Sequence, residues 1–507
     1  RFGGAGGSVA GGPARVYAAI PLLDVVGDFP YAWDNGTRNN PADDETRVRQ
    51  NDEIRQGDAV VRAALALAPT RELQLSLSGL GRRQGLAGFG THLDPEARLT
   101  TLRGIASLTY TGRDDLGPAG RLQVQAYTIV SEQQFWDPPG ILSYKPADTD
   151  DRTTTFGATV RAARAATPWL KLAGIADGRV ETFQPTERRD GVEMTGAPSS
   201  RLFGSAGAEA DAWWERPRLG VIPSLRWEGA RDVHSGRTSF RELLPAGEPL
   251  FYSALLERLG LLQRATPALT FKANVGRYAR QPSFLELYGD SGFVEGDPNL
   301  RPERAVNGDV GASVRLENAR GALAIDGALF GAAVSDLIQF QQDAYGRSHP
   351  ENVGRARILG VEASADGRLG PHGRLVAQAT FTDARDTSDN TGSRGRQLPL
   401  RPRFRAYVRP EARAVAVGPV RAGVYADADV TGGNYIDAAN FNQLPARLLF
   451  GAGATVEWPR AGLRVTASLQ NIGNSSISDV TGLPLPGRAL FVTLAGDTSR
   501  SEERIHP

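Results

Sequence analysis

The sequence predicts an all-β transmembrane protein, an up-and-down antiparallel β-barrel of the 22-stranded type. Short turns recur roughly every fifty residues, and each one joins two segments in which apolar and polar residues alternate. Long hydrophilic segments connect one such pair to the next. Short turns at one end and long loops at the other are typical of an up-and-down barrel, which lies in a membrane when its apolar face points outward. The turns contain Pro13, Pro69, Pro118, Pro168, Pro217, Pro267, the run Asn318–Gly321, Pro371, Pro419 and Pro459.

The alternation defines two faces of each predicted strand. In residues 73–78, leucine occupies every odd position and glutamine or serine every even one. Successive side chains of a strand point to opposite sides, so a period of two indicates a strand. Charged residues at mid-strand suit a wet lumen, because each would cost a few kcal/mol on the outer face at bilayer depth. We therefore expect two sets: Leu73, Leu75, Leu77, Phe271, Val465 and Leu469 toward lipid, and Gln74, Lys272, Arg315 and Arg464 toward the lumen.

The composition excludes several classes of protein. The chain has 507 residues and a net charge of +1, which gives no electrostatic support for nucleic-acid binding. It contains no cysteine, which excludes disulfides and thiolate metal sites. No apolar stretch is long enough for a transmembrane helix, so lipid contact is expected from alternate residues of the strands.

The number of turns predicts how the chain is organised. Ten short turns imply 22 strands, and Phe2–Gly11 is interpreted as the second strand because it runs directly into the first turn. We therefore expect about 21 barrel strands within residues 1–496, with the first strand upstream of residue 1 and any N-terminal domain earlier still. Residues 497–507 are expected to form a hydrophilic C-terminal tail.

The long hydrophilic segments carry aromatic residues among the polar ones. Loops longer than about fifteen residues are usually functional or disordered, and aromatic side chains on loops suit ligand contact. An interfacial aromatic girdle is the alternative interpretation for any one of them. A neighbouring arginine favours an anionic ligand. The residues expected to contact a ligand are Trp136, Tyr144, Arg280, Phe293, Tyr345 and Tyr435.

Four segments in the second half of the chain resemble motifs of TonB-dependent outer-membrane receptors. The first contains the runs YARQPSFLELY and GDPNLRPE, which are similar to the motifs around one extracellular loop of that family. Asp297 stands where the family usually has asparagine. The resemblance depends on the order and spacing of these four segments, which agree with those of the family. The first half of the chain resembles the family in its architecture alone. The segments are Tyr278–Glu303, Asn352–Glu362, Leu398–Pro402 and Asn471–Arg488.

The resemblance implies an importer with 22 strands, in agreement with the count of turns. Receptors of this family lie in the outer membrane of Gram-negative bacteria and bind scarce, bulky nutrients, most often ferric siderophores. The TonB–ExbB–ExbD complex supplies energy by acting on a plug domain, which precedes the barrel. The implied partners are outer-membrane lipid, the plug domain, TonB–ExbB–ExbD and a metal chelate or other small molecule. A plugless passive pore, or a scaffold barrel of an envelope complex, is the alternative.

The sequence predicts no enzyme, no resident metal and no cofactor. The run Gly289–Gly292 copies the nucleophile neighbourhood of chymotrypsin-like proteases, but no base and orienting acid accompany it. The five histidines lack the spacing of a metal-binding pair. The acidic run Asp148–Asp151 offers the oxygen ligands that Ca²⁺ prefers, although loops are commonly acidic for solubility.

Overall fold

The computed structural model describes residues 1–497 except for 38–39, 91, 144, 190, 197, 235–248, 290–293, 343–347, 390–391 and 481. Within that part of the chain the regular structure is almost entirely strand. The described residues also include a 3-10 helix, Pro41–Asp43, and an α-helix, α1, Phe284–Tyr288. None of the helices in these ranges is long and apolar enough to cross a membrane.

The strands are numbered in chain order. The first half comprises β1 (Phe2–Gly11), β2 (Ala14–Val25), β3 (Pro30–Trp33), β4 (Glu45–Val48), β5 (Ile54–Ala68), β6 (Arg71–Gly85), β7 (Gly88–Phe89), β8 (His92–Leu93), β9 (Arg98–Arg113), β10 (Arg121–Asp137), β11 (Ala147–Thr167), β12 (Leu170–Arg189), β13 (Val192–Thr195), β14 (Ser199–Trp214) and β15 (Leu219–Val233). The second half comprises β16 (Leu250–Arg264), β17 (Leu269–Arg280), β18 (Glu303–Asn318), β19 (Gly321–Gln342), β20 (Ser348–Leu369), β21 (Gly373–Asp386), β22 (Phe404–Val417), β23 (Val420–Thr431), β24 (Asn434–Tyr435), β25 (Gln443–Leu444), β26 (Arg447–Trp458), β27 (Leu463–Gln470), β28 (Ile477–Val480), β29 (Leu483–Leu485) and β30 (Ala489–Gly496).

One sheet of 22 strands forms the barrel wall. One of its members, β13, pairs only with the end of β12, so 21 long strands make up the wall itself. Wall strands that follow one another in the chain pair antiparallel. Among the described residues, β1 pairs with β2 alone and β30 with β27 alone. The predicted antiparallel up-and-down barrel is therefore confirmed, and a further strand upstream of residue 1 stays a prediction.

The two ends of the wall differ as the sequence predicts. All ten predicted turns join successive wall strands at one end, the short-turn rim, and the longer connections lie at the other end, the long-loop rim. The polar composition of Ser131–Arg152 and Glu181–Ser205 predicts loops, but β10 continues to Asp137 and β12 to Arg189. Beyond a bilayer both faces of a strand meet water, so the alternation stops while the hydrogen-bonded ladder continues. The sequence pattern therefore placed these strand ends too early.

Apolar and charged side chains occupy opposite faces of the wall. Residues directly opposite each other on antiparallel neighbours share a face, and Leu75 on β6 lies opposite Leu108 on β9. Phe271 is 46% exposed on the same apolar face. On the other face, Arg464 pairs with Glu457 at 2.8 Å between neighbouring strands. The apolar face forms the lipid band and the charged face lines the lumen, which is the arrangement predicted from the alternation.

Buried side chains concentrate near the long-loop rim. A wall that is one strand thick leaves most of its residues half-exposed, whereas loop residues pack on the strand ends. Three clusters each combine loop residues with residues at the ends of wall strands. They are Phe183, Leu287, Tyr288, Leu300 and Ile338; then Leu337, Ala356, Ala384 and Leu398; and then Ala97, Phe135 and Leu142. The long-loop rim is therefore a packed layer in which side chains have fixed neighbours.

Candidate ligand site at the long-loop rim

The loop between β17 and β18 contains the short helix α1. Ser283 is its N-cap: its Oγ accepts from the Glu286 N–H at 3.3 Å, and the Glu286 carboxylate accepts from the Ser283 N–H at 2.7 Å. This reciprocal capping box satisfies two donors near the start of the helix. Gly289 ends the helix with a φ of 76°, which glycine adopts without steric strain. The local sequence therefore encodes where this helix begins and ends.

Arg280 connects α1 to the wall. Its Nη1 and Nη2 donate to the two carboxylate oxygens of Glu286 at 2.8 and 2.9 Å. Its Nε donates at 2.7 Å to Glu303, the first residue of β18. The other oxygen of Glu303 accepts from the Ile338 N–H on β19 at 2.7 Å. One guanidinium group thus links the helix to β17 and β18, and Glu303 extends the link to β19.

The Glu286 carboxylate is ionised because Arg280 is beside it. Burial alone would raise the pKa of Glu286, but the hydrogen bonds from Arg280 and the Ser283 N–H outweigh burial and hold that pKa below its ordinary value. Its side chain is 9% exposed, while that of Arg280 is 45% exposed. The buried Glu286 carboxylate therefore depends on Arg280 to neutralise its negative charge.

A second arginine docks the same loop onto another part of the wall. Arg201 on β14 is buried, and it pairs with Asp232 on β15 through two hydrogen bonds of 2.7 Å. Its Nη1 donates to the Pro282 carbonyl at 2.9 Å, and its guanidinium carbon lies 5.3 Å from the ring centre of Phe284. A buried ion pair stabilises a protein when its remaining hydrogen bonds are also made, and here the loop carbonyl makes one of them.

Aromatic rings fill the space between α1 and the wall. Tyr288 stacks on Phe183 with 5.2 Å between ring centres and on His234 with 5.3 Å. Phe284 adds a tilted contact with Tyr288 at 5.6 Å. Burial lowers the pKa of His234, and neither of its ring nitrogens has a hydrogen-bond partner among the described residues. The stack therefore favours the neutral imidazole.

The ends of β19, β20 and β21 line a cleft of 630 Å³ together with nearby loops. This volume is typical of a site for a drug-sized ligand. Within it, His349 Nε2 lies 2.9 Å from Glu351 Oε1. In the described ranges, no three His, Cys, Asp or Glu side chains form a group able to hold a metal ion. The polar lining residues are Gln339, Gln341, His349, Glu351, Asn352, Asp386, Ser388, Ser393 and Gln397.

Two buried carboxyl groups join two other loops of this rim. Asp94 lies between β8 and β9 and is 1% exposed, and Asp137 at the end of β10 is 0% exposed. The Asp137 carboxylate accepts from the N–H groups of residues 140–143 and from the Ser143 hydroxyl. Asp94 Oδ1 accepts from two N–H groups of its own turn, but its Oδ2 has no donor among the described residues. Burial raises the pKa of Asp94, and contact with Asp137 adds to the shift. A protonated Asp94 carboxyl can donate toward the neighbouring Asp137, which would satisfy its buried Oδ2.

We expect the loops that meet at Asp94 and Asp137 to become less stable as the pH rises. A pKa that is higher in the folded state than in the unfolded state adds stability at low pH, and the contribution is lost as the pH rises through the folded value. After correction for intrinsic rates, hydrogen exchange in the loop between β6 and β9 should accelerate as the pH rises above 3.8, the ordinary pKa of the aspartate carboxyl. The Asp94→Asn carboxamide donates to Asp137 at any pH, so this variant should lose the dependence. A wild-type rate that stays constant as the pH rises would contradict the protonated Asp94.

The residues predicted to contact a ligand occupy separate parts of this rim. Trp136 on β10 is 38% exposed on the outward face, which it shares with Val124. Arg280 holds α1 to the wall through Glu286, and Tyr435 lies in the small hairpin of β24 and β25. A role in ligand contact stays a prediction for all of them. The other predicted residues, which lie outside the described residues, are Tyr144, Phe293 and Tyr345.

Arg201 and Asp232 are site residues that the sequence pattern does not single out. They lie 31 residues apart on neighbouring strands, and Pro282 lies 81 residues from Arg201. Their one local signal is a polar residue at an inward position of a strand, which dozens of other positions share. The register of β14 on β15 brings them together.

The barrel as a whole matches a family model. Residues 15–472 match the model described as TonB dependent receptor-like, beta-barrel. The chain belongs to the TonB-dependent receptor family. The family consists of barrels of the Gram-negative outer membrane, and the matched residues include Arg280, Glu303 and the capping box of α1. No curated protein sequence matched the chain.

Solved structures of other receptors share the fold of this TonB-dependent receptor. The copper transporter OprC gives a TM-score of 0.77 at 15% identity, with 97% of this chain and 78% of that chain covered. The FrpB iron transporter from Neisseria meningitidis, F5-1 variant, gives 0.75 at 16% identity with the same coverage. The siderophore receptor PiuA from Acinetobacter baumannii gives 0.71 at 14% identity, also over 97% and 78%. At these identities the similarity concerns the fold.

Proposed function

We propose that this TonB-dependent receptor imports a bulky nutrient such as a ferric siderophore across the outer membrane. Energy comes from TonB–ExbB–ExbD acting on a plug domain. The observation that carries the proposal is the family match over residues 15–472, in a barrel whose long-loop rim holds a cleft of 630 Å³. Structural relatives named as transporters of copper and iron and as a siderophore receptor support a cargo linked to metal uptake.

The side chains of the rim favour a chelate over a bare soft metal ion as cargo. Soft metals such as Cu(I) prefer thiolate and thioether ligands, and the chain has no cysteine and a single methionine. The cleft presents carboxamide, hydroxyl and carboxylate groups instead. Such groups form hydrogen bonds with the oxygen-rich surface of a chelate, whose own atoms fill the coordination sphere of the metal.

Uptake of radiolabelled ferric chelates by whole cells tests the proposal. Replacing both Gln341 and Ser393 with alanine removes hydrogen-bonding groups from the cleft, so the chelate should bind about tenfold more weakly. Arg368→Gln at the short-turn rim is the matched control and should bind normally. Import of a bound chelate should also stop in cells that lack TonB. The proposal fails if no chelate binds, or if the control loses as much affinity as the cleft variant.

The same cells distinguish the alternative of a plugless passive pore or a scaffold barrel. A passive pore would admit small solutes at the same rate with and without TonB, and it would not saturate at low concentration. An energised receptor saturates near its Kd and depends on TonB. Saturable, TonB-dependent uptake therefore supports the importer, and TonB-independent entry supports the pore.

A further inference from the structure

The outward face of β20 changes from apolar residues to arginines at one level. Leu359 and Val361 are 46% and 43% exposed on that face, whereas Ala356 on the other face is 2% exposed inside a loop cluster. Alternation along the strand places Arg357 and Arg355 on the outward face, directly beyond Leu359. The outward apolar run of β20 extends from Leu369 to Leu359, 11 residues, which is about the length of a tilted strand that spans a bilayer. The two arginines therefore lie at the level of the lipid headgroups.

Neighbouring strands place more arginines at this level. On β21, Phe381 is 46% exposed at the end of the apolar run, and Asp383 and Arg385 follow it on the same face. Asp383 is shared by three guanidinium groups: Arg385 at 2.9 Å, Arg403 at 3.6 Å and Arg357 at 3.7 Å. One carboxylate cannot neutralise three arginines, so this group keeps a positive charge.

Outward positions of β17 and β18 continue the pattern. Arg277 follows Val275, which is 51% exposed, and Arg304 lies one outward position beyond Val306, which is 50% exposed. Arg277 has a partner in Glu257 at 3.7 Å, and Arg355 has one in Asp389 at 2.8 Å. With Asp383 included, three carboxylates face six arginines in this band. We call the band the arginine rim: Arg277, Arg304, Arg355, Arg357, Arg385 and Arg403.

Another part of the wall mixes acidic and basic side chains at the same level. On β10 and β11 the outward face is apolar at Val124 and Phe156, which are 39% and 61% exposed. The outward positions nearer the long-loop rim include Glu132, which lies opposite Arg152, and Asp148 and Asp150, which pair with Arg188 of β12 at 3.5 and 3.6 Å. The arginine rim is therefore a local feature of β17 to β22 and is not a uniform property of the barrel circumference.

We propose that the arginine rim binds phosphate-bearing headgroups of lipids in the outer leaflet. Guanidinium groups bind phosphate through two parallel hydrogen bonds, and several of them together attract an anionic headgroup. The rim lies on the outside of the wall and borders the apolar band, so a lipid gains contact for its phosphate and its acyl chains at once. Free phosphate gains the charge contact alone, and the geometry therefore points to the lipid. This inference rests on the membrane location in the proposed function, but it requires no transport.

Binding of defined lipids to the purified full-length protein in detergent tests the inference. The probes are diphosphorylated lipid A, phosphatidylcholine and inorganic phosphate. Arg357→Gln with Arg403→Gln removes two charges and leaves Asp383 its closest partner, Arg385. Each arginine removed should weaken lipid A binding about fivefold, so the double variant should lose about 25-fold. Phosphatidylcholine, whose headgroup is neutral, should bind wild type and variant equally.

The controls separate charge from misfolding. Glu132→Gln with Asp148→Asn changes two charges in the part of the wall that mixes both signs of charge, and it should cause no loss of lipid A binding. If the double arginine variant lacks the circular dichroism of the folded barrel, Arg304→Gln on β18 replaces it, with an expected loss of about fivefold. Unchanged lipid A affinity in a folded variant, an equal loss in the Glu132 and Asp148 control, or displacement of lipid A by an equal concentration of inorganic phosphate would overturn the inference. Failure of chelate uptake with lipid A binding intact would instead count against the transport proposal.

Discussion

Arginine at position 379 is expected to destabilise the folded barrel by about 2–4 kcal/mol, whereas arginine at position 378 should cost far less. Ala379 lies between Ala363 and Ala406 on neighbouring strands. It shares the outward face with Phe381, which is 46% exposed. The Ala379→Arg side chain therefore enters the hydrocarbon of the bilayer, where its charge loses hydration. Gln378→Arg enters the lumen, where water and polar side chains remain.

Unfolding by guanidinium chloride in lipid vesicles measures this difference. Ala379→Leu controls for side-chain size, because it adds volume on the same face without a charge, and it should be close to neutral. Equal destabilisation by arginine at both positions would mean that the register of β21 is wrong by one residue, which exchanges the two faces.

Glu286→Gln is expected to loosen the loop between β17 and β18. The substitution removes the charged partner of Arg280, while the glutamine oxygen can still accept from the Ser283 N–H, so docking of the loop should weaken by about 2 kcal/mol. Amide hydrogens of residues 283–289 should then exchange about thirtyfold faster while those of the wall strands stay protected. Chelate binding should weaken too if this loop contributes to the ligand site.

The matched control is Glu317→Gln, which breaks an exposed ion pair. Glu317 lies 3.3 Å from Arg368, and their side chains are 77% and 64% exposed. Exposed pairs of this kind contribute less than about 1 kcal/mol, so exchange should hardly change. A Glu286→Gln protein with wild-type exchange in α1 would show that the aromatic cluster alone holds the loop.

The pH dependence of the same loop has a defined sign. The pKa values of Glu286 and His234 are both below their ordinary values of 4.5 and 6.5. A lowered folded-state pKa adds stability above the ordinary value, and that stability is lost as the pH falls through the folded value. Exchange in α1 should therefore accelerate first below the ordinary pKa of histidine and again below that of glutamate. Exchange in α1 should thus accelerate as the pH falls, whereas exchange in the loop that holds Asp94 should accelerate as the pH rises.

The sequence alone was sufficient for the architecture of the wall. Lipid on one side and water on the other impose a period of two, and a turn of a few residues must join each pair of strands. The turns at Pro69 and Pro459 and the opposite faces of residues 73–78 both follow from short-range pattern. The capping box of Ser283 and Glu286 is equally local, since its two residues are one helical turn apart.

Contacts at the long-loop rim were decided by tertiary structure. The Arg201 hydrogen bond to Pro282 spans 81 residues, and the contact between Asp94 and Asp137 joins two loops. Beyond the bilayer no lipid constrains the side chains, so the alternation that marks the wall carries no information there. Partners are then set by sheet register and by loops that fold back on strand ends. The sequence identified Arg280 as a residue of interest. Its partners could not be predicted from the alternation, and only the structure shows that its guanidinium group is held by Glu286 and Glu303.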